Sequence, residues 1–321
     1  MDSILHKTKT STTPLTLLSS SRLGGTVSGE KKRVRFIINP YSGVRKHINL
    51  EIEIAQKLDK TLFEYDIAYT EYAGHATELA AEAVSEGCEI VVAVGGDGSV
   101  NEVAKSLIGT DTILGILPAG SGNGFAMYLG WGRDIPSVLR RFSSAKIETI
   151  DTGLMNDRPF VNLAGVGFEA SVVFNTRNAP KRGMQGYIKG FFKHLFSYKF
   201  KTYHIKVDNQ SYETDALTIT VANAPMYGYN FIVAPLAKYD DGKLEVVVFK
   251  KAKKWRYLMT TFRMLNRTVN NSPLVKRFSG EKIEISLIEP DFAQVDGEGY
   301  PTENEKLVFQ VRPLSLKVLI P

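Results

Sequence analysis

A run of five apolar residues, Ile90–Val94, passes without polar alternation into Gly95-Gly96-Asp97-Gly98-Ser99, and Val100, Val103, Ala104 and Leu107 then repeat at helical spacing. A strand with no polar face is buried on both sides, which demands helices above and below it and favours a parallel sheet. The same grammar recurs around it. Val34–Ile38 and Ile113–Leu117 are apolar runs, Phe63–Thr70 alternates, and helices are predicted through Leu58, over His75–Val84 and over Val100–Ile108. Strands and helices alternating from Arg33 to about Leu129 predict a doubly wound, Rossmann-like α/β domain, on which ligands gather at the carboxyl ends of the strands.

The glycines after Val94 define the chemistry of that end. Glycine lets a backbone approach a ligand closely, and the helix that follows presents unpaired N–H groups and a positive dipole end. This is a phosphate site by construction. It is not a dinucleotide fingerprint, because Asn101 stands where the last glycine would, and no Gly-Lys-Ser/Thr occurs to make a Walker loop. A second loop, Leu117-Pro118-Ala119-Gly120-Ser121-Gly122-Asn123-Gly124-Phe125, follows the next strand. Two such loops after adjacent strands converge on one crevice and predict a polyphosphate ligand. Its expected contacts are Gly95, Gly96, Asp97, Gly98 and Ser99 with Gly120, Ser121, Gly122 and Asn123. Ser99 and Glu102 also have the spacing of a capping box and are expected to open the helix.

After about Lys146 the texture changes. Thr149–Leu154, Tyr203–Val207, Ala216–Asn223, Lys243–Phe249, Lys282–Leu287 and Lys306–Val311 read as strands, with turn signals at Asp208-Asn209, Asp241-Gly242 and Asp296-Gly297. A mainly antiparallel β domain is predicted. Two helices interrupt it, over Met184–Phe196 and Trp255–Leu265, and their apolar faces are expected to pack on the sheet. Residues 1–30, rich in Ser and Thr and free of aromatics, are expected to form a disordered tail.

Charge is concentrated in this second half. Ala170–Val207 holds eight Lys and Arg and no acid, and Val246–Gly280 holds nine and no acid. Those two segments carry +17 in a chain whose net charge is +6, so the remainder is acidic. Basic, aromatic segments of this kind suit an anionic membrane surface, and nucleic acid is not expected as a partner. The single cysteine, Cys88, excludes an intrachain disulfide and a Cys-rich zinc cluster and fits a reducing compartment. No apolar run reaches the roughly 18 residues of a spanning helix, so a cytoplasmic protein peripheral to the membrane is expected. Oligomeric state is not legible.

With these residues in view, Gly95-Gly96-Asp97-Gly98-Ser99 followed by Asn101-Glu102-Val103 resembles the signature of the diacylglycerol kinase catalytic domain, shared by bacterial lipid kinases, sphingosine kinases and ceramide kinases. Asn39-Pro40-Tyr41-Ser42-Gly43 resembles its first nucleotide loop, and Thr70 with Gly74-His75-Ala76-Thr77 its second. Gly165–Ala170, Tyr239–Leu244 and Asp296-Gly297-Glu298 resemble later blocks, all in order from about Val34 onwards. The resemblance implies ATP- and Mg²⁺-dependent phosphorylation of a lipid hydroxyl. It implies a nucleotide domain over 31–146, a β-sandwich acceptor domain over 147–315, and a last strand, 316–321, returning to the first domain. Asn39, Ser42, Thr70 and Thr77 join the nucleotide contacts. Asp97 is expected to serve metal and catalysis, Asp296 and Glu298 to divide base and metal support between them, and Asp240 and Asp241 to hold a structural metal.

Departures from the pattern bear on the acceptor. Gly124 stands where the family often has Asp, removing one carboxylate from the metal network. Ser171 stands where sphingosine kinases carry the Asp that reads the substrate amine, and Glu169 resembles the acid of the diacylglycerol-type block. A glycerolipid is therefore expected over a sphingoid base or ceramide, with Glu169 on the substrate side. An NAD kinase, which shares the glycine loop and fold, and a catalytically silent binding module are the alternatives.

Overall fold

The computed structural model describes residues 21–22, 31–43, 49–176, 191, 194–227, 231–303 and 305–321. In the first half the elements are β1 (Ser21–Arg22), β2 (Lys32–Ile38), α1 (Leu50–Lys57), β3 (Phe63–Tyr69), α2 (His75–Ser85), β4 (Ile90–Gly95), α3 (Asp97–Leu107), β5 (Ile113–Pro118), α4 (Gly124–Tyr128) and α5 (Ile135–Phe142). Strands β3-β2-β4-β5 pair in parallel in that order. Every residue of β4 and β5 is buried, as their unbroken apolar sequence requires. From β2 the chain lays β3 on one side and then β4 on the other. The connections therefore diverge between β2 and β4 and leave a crevice at their carboxyl ends. Asn39 and Gly96 are the first residues past those two ends.

The second half runs β6 (Lys146–Met155), β7 (Arg158–Phe160), β8 (Leu163–Gly167), α6 (Phe168–Thr176), β9 (Lys201–Val207), β10 (Gln210–Ala222), β11 (Leu244–Lys250), α7 (Arg256–Leu265), β12 (Val275–Gly280), β13 (Lys282–Leu287), β14 (Asp291–Val295), β15 (Glu298–Thr302) and β16 (Lys306–Ile320). Pairing among its strands is antiparallel. These strands wrap one apolar core that includes Phe160, Tyr203, Ile219, Val246 and Phe309. On the outer face of β8, β10 and β11 a second apolar layer, with Phe168, Val172, Leu217, Val247 and Tyr257, is roofed by α6 and α7. An α/β domain followed by a mainly antiparallel β domain is what the pattern of apolar runs predicts, and the sandwich is what the resemblance implies.

The two halves are joined by a single strand. The first residues of β16 pair with β13, Phe309–Arg312 and Leu316–Ile320 pair with β6, and Val318 pairs in parallel with Leu114 of β5. Leu307 and Phe309 enter the sandwich core, and Leu316, Val318 and Leu319 enter the α/β core. Between them the register shifts, and Leu314 takes a φ of 45°. The Leu314 amide donates to the buried Asp151 carboxylate at 2.8 Å, so the break in the ladder has a partner.

Several expectations are corrected. The segments predicted as Lys306–Val311 and a separate last strand are one strand, because the bulge at Leu314 interrupts pairing without ending the extended chain. Ser21 and Arg22, within the expected tail, pair antiparallel with Ile147 and Lys146; residues 1–20 and 23–30 lie outside the described residues. Most of the helix expected over Met184–Phe196 also lies outside them. Trp255–Leu265 is helical as predicted, but Trp255, Met259, Phe262 and Leu265 are exposed rather than packed on the sheet. Tyr257 and Thr260 are buried inward, and Leu258 of the predicted stripe packs on the apolar layer with Met264. Asp241-Gly242 closes the long connection from β10 to β11 rather than a hairpin.

Candidate active site

Three loops meet at the crevice between β2 and β4. The Asn39 Oδ1 accepts from the Tyr41 amide at 3.0 Å, its Nδ2 donates to Ser99 Oγ at 3.3 Å, and Ser42 Oγ donates to the Asn39 carbonyl at 2.9 Å. The Gly95 carbonyl accepts from the amides of Ala119 and Gly120 at 2.9 and 3.0 Å, which ties the second glycine loop to the first. A Cβ on Gly120 would lie 2.2 Å from the Gly96 Cα, and one on Gly43 would lie 2.0 Å from the Ala119 carbonyl oxygen. No side chain fits between these backbones, and the resulting surface exposes peptide groups to a ligand. Asn123, at φ 53°, turns the chain into α4 and donates from Nδ2 to the Gly120 carbonyl at 2.8 Å. Ser121 and Gly122 form the half-buried tip of this loop.

Helix α3 starts three residues before the position expected from its sequence. Its N-cap is Gly96, with no side-chain cap, so the capping box of Ser99 and Glu102 does not form. The reason is local: Gly96 is extended at φ −96°, Gly98 sits in the first turn, and Ser99 is buried against Asn39. An uncapped first turn leaves its N–H groups for an anion. Asp97, the first helical residue, accepts the Phe125 amide at 3.1 Å. Asn101 and Lys105 follow at successive intervals of four, on the same face as Asp97. Asn101 is 1% exposed and neither atom of its amide has a partner, a demand that a ligand or water must meet. Lys105 Nζ is 3.4 Å from Glu298 Oε2, so α3 reaches across to the turn between β14 and β15.

That turn carries two carboxylates of different character. Asp296 (φ 45°) and Gly297 (φ 85°) make a tight reversal. Asp296 Oδ1 accepts the amides of Asn162 and Leu163 at 3.0 and 2.9 Å, and Oδ2 accepts that of Val161 at 2.8 Å. Burial pushes its pKa up to about 6; the three N–H donors oppose that rise, and the charge of Asp97 adds to it. Asp97 therefore lies near enough for its charge to act on Asp296. Glu298 is about half exposed and pairs with Lys105.

Behind the turn, Glu169 lies in the first turn of α6 and is 8% exposed. Gln294 Nε2 donates to Glu169 Oε2 at 3.4 Å while its Oε1 accepts the Gly297 amide at 2.9 Å. Burial raises the Glu169 pKa to about 7, against hydrogen bonds from Tyr227 and Gln294. Its path to the turn runs through Gln294.

The remaining expected residues divide. Thr70 is buried at the end of β3, its amide donating to the Ile38 carbonyl at 2.9 Å. The Thr77 hydroxyl donates to the Glu102 carbonyl at 2.9 Å and fastens α2 to α3. Asp240 and Asp241 lie beside Asp151, whose carboxylate accepts the Gly242 and Leu314 amides at 2.7 and 2.8 Å. Among the described residues no three His, Cys, Asp or Glu side chains are grouped to hold a metal ion, so a metal at Asp240 and Asp241 would need water or backbone oxygens to complete its shell. Asn101, Lys105 and Gln294 were not foreseen. Asn101 and Lys105 follow Asp97 at intervals of four on α3, a spacing that could have marked the first two.

Comparison with known proteins completes the description. Residues 33–155 match the diacylglycerol kinase catalytic domain, and residues 162–320 match the YegS C-terminal NAD kinase beta sandwich-like domain. A diacylglycerol kinase of Staphylococcus saprophyticus is 31% identical over 276 residues, covering 84% of this chain and 89% of that protein. An uncharacterized protein of Synechocystis is 28% identical over 311 residues, covering 91% of this chain and 71% of that one. The crystal structure of a Bacillus anthracis diacylglycerol kinase homologue superposes with a TM-score of 0.74 at 22% identity, covering 92% of this chain and 97% of the other, which shows the shared fold. With both domains matched in order and a relative above 30% identity along most of its length, this chain belongs to the diacylglycerol kinase family, phosphotransferases with an alcohol acceptor.

Proposed function

We propose that this protein transfers the γ-phosphate of ATP to the hydroxyl of a glycerolipid, diacylglycerol or a close analogue, with Mg²⁺. The observation that carries the reading is the meeting of the two domains at a backbone-lined crevice, where Lys105 of α3 pairs with Glu298 and the charge of Asp97 acts on Asp296. ATP fits the crevice because Gly96, Gly120 and the uncapped start of α3 leave peptide N–H groups and no side chains where phosphates would lie. Mg²⁺ fits beside Asp97, since that ion takes one or two carboxylates and completes its shell with phosphate oxygens and water. When bound there it would offset the charge of the phosphates.

The chain's own residues supply the rest. The first turn of α3 and the loop 119–123 position the phosphates. Asp296 takes the proton from the acceptor hydroxyl as its oxygen bonds to the γ-phosphorus and the bond to the β-phosphate oxygen breaks. The three backbone donors hold that carboxylate in one orientation, and a pKa of about 6 leaves it ionised yet basic near neutrality. Glu298 and Lys105 close the rim. Glu169, neutral for part of the time near pH 7, presents the substrate side through Gln294 and Gly297.

The test is transfer of labelled γ-phosphate into dioctanoylglycerol, sphingosine, ceramide and NAD, each dispersed in mixed micelles with Mg²⁺ present or chelated. Label in the glycerolipid, lost on chelation, is the expected outcome. Label in NAD alone, or in none of the four, overturns the reading.

A further inference from the structure

Helix α7 is amphipathic the wrong way round for a helix that only covers a sheet. Tyr257 and Thr260 face inward, Tyr257 joining the apolar layer above β8, β10 and β11. On the opposite side Trp255, Met259 and Phe262 are 59%, 58% and 63% exposed. Their spacing, i, i+4 and i+7, places them in one stripe along the helix. Phe196, 61% exposed, extends the stripe at the α7 end where Lys254 Nζ donates to the Phe196 carbonyl. An aromatic-rich stripe of this kind on a single element is not the scatter of a normal surface.

The charge around the stripe identifies what covers it. Lys253, Lys254, Arg256, Arg263 and Arg267 lie within or beside α7 in sequence, Lys253 and Arg267 exposed, and no Asp or Glu occurs between Val246 and Gly280. A second copy of this face would bring like charges together, and a protein partner would need an acidic rim around an apolar centre. An anionic bilayer offers both requirements over any area: negative headgroups at the surface and acyl chains beneath them. We infer that α7 lies in the plane of an anionic membrane, with Trp255, Met259, Phe262 and Phe196 at the boundary between headgroups and acyl chains and the surrounding Lys and Arg at the headgroups. The inference rests on the glycerolipid reading above, since a kinase of long-chain lipids meets its acceptor in a bilayer.

The two tryptophans make the test direct. Trp131 is 1% exposed, its Nε1 donating to the Leu319 carbonyl at 3.0 Å, so only Trp255 reports contact with a vesicle. The full chain is mixed with vesicles of phosphatidylglycerol and phosphatidylcholine, or of phosphatidylcholine alone, at low and high salt. Sedimentation and tryptophan emission are followed. Wild type should sediment with the anionic vesicles at low salt with a blue shift in emission, and do neither with neutral ones. The triple variant Trp255→Ser, Met259→Ser, Phe262→Ser, all solvent-facing substitutions, should lose more than about 10-fold in partition. Lys253→Glu with Arg267→Glu should lose binding while keeping the Trp255 environment of the free protein. Equal sedimentation of wild type and triple variant, or a blue shift that grows with protein concentration in the absence of lipid, overturns the inference, the latter in favour of self-association.

Phosphorylation of dispersed dioctanoylglycerol is measured on the same samples. It should be unchanged in every variant. Failure of that reaction in wild type counts against the proposed function, whereas vesicle binding stands or falls separately.

Discussion

The two walls of the cleft are built from different materials. At Gly96 and Gly120 two backbones pass with no space for a methyl group, and the phosphate surface consists of peptide groups set by four consecutive elements. Across from it, the turn at Asp296 works through one side chain whose three hydrogen-bond partners, Val161, Asn162 and Leu163, lie more than 130 residues earlier. The first wall is rigid because the local chain can take no other path. The second is rigid because a buried carboxylate must find donors. Local geometry is thus robust to side-chain change on one side, and a single atom matters on the other.

The largest effect should come from Asp296→Asn. Loss of a general base lowers kcat by roughly 10²–10⁴-fold, while the affinity for ATP, set on the opposite wall, should stay near normal. In wild type, kcat should fall as pH drops through about 6, where the carboxylate takes up a proton, and that limb should vanish in the variant. A collapse of ATP affinity with kcat preserved would place Asp296 on the nucleotide wall and break the contrast. Next is Asp97→Asn, which keeps an oxygen for the Phe125 amide but removes the charge. Turnover should drop by about 10²–10³-fold, with the melting temperature little changed.

Glu169→Gln tests the support beneath the second wall. The carboxyl titrates at 4.5 in the unfolded chain and near 7 when folded, so the folded state holds the proton more tightly. Stability should be greatest below about 4.5 and decline as pH rises to about 7, by on the order of 3 kcal/mol for this residue. The Gln variant should lose that dependence in denaturant melts at pH 5 and 7.5. The smallest effect is expected from Lys105→Met, which breaks the ion pair with half-exposed Glu298. Its contribution to stability should be under about 1 kcal/mol and should disappear in high salt. A larger, salt-independent loss would show that the walls depend on each other.

The same contrast governs how much could be read from residues alone. The α/β half was legible because its strands are buried on both faces and its glycines sit at strand ends, so periodicity and composition carry the topology. The sandwich was legible as a class but not in detail. Phe168–Thr176 was not foreseen as a helix, and Leu163–Gly167, Asp291–Val295 and Glu298–Thr302 were not foreseen as strands, because each is short and its burial is set by distant partners. Ser99 was misread for the opposite reason: its spacing to Glu102 fits a cap, but buried contact with Asn39 competes for it. Asp240 and Asp241 belong to a packing cluster with Asp151 that only the tertiary fold assembles. The exposed stripe on α7 could not be told from a core stripe, since periodicity gives a face but not its direction.

Strand β16 has a consequence for how the protein is made. The parallel sheet of the nucleotide domain is completed by Val318, paired with Leu114, so a segment translated after every other element supplies the neighbour of β5. A ribosome delivers β2 through β5 long before β16, and until then the β5 flank presents unpaired backbone groups. Such an edge invites pairing with another nascent chain, and the late closure makes folding slow by the rule that contacts distant in sequence form last. Nascent chains arrested just before Leu316 should therefore remain dependent on chaperones, although every residue of both phosphate loops has already left the exit tunnel.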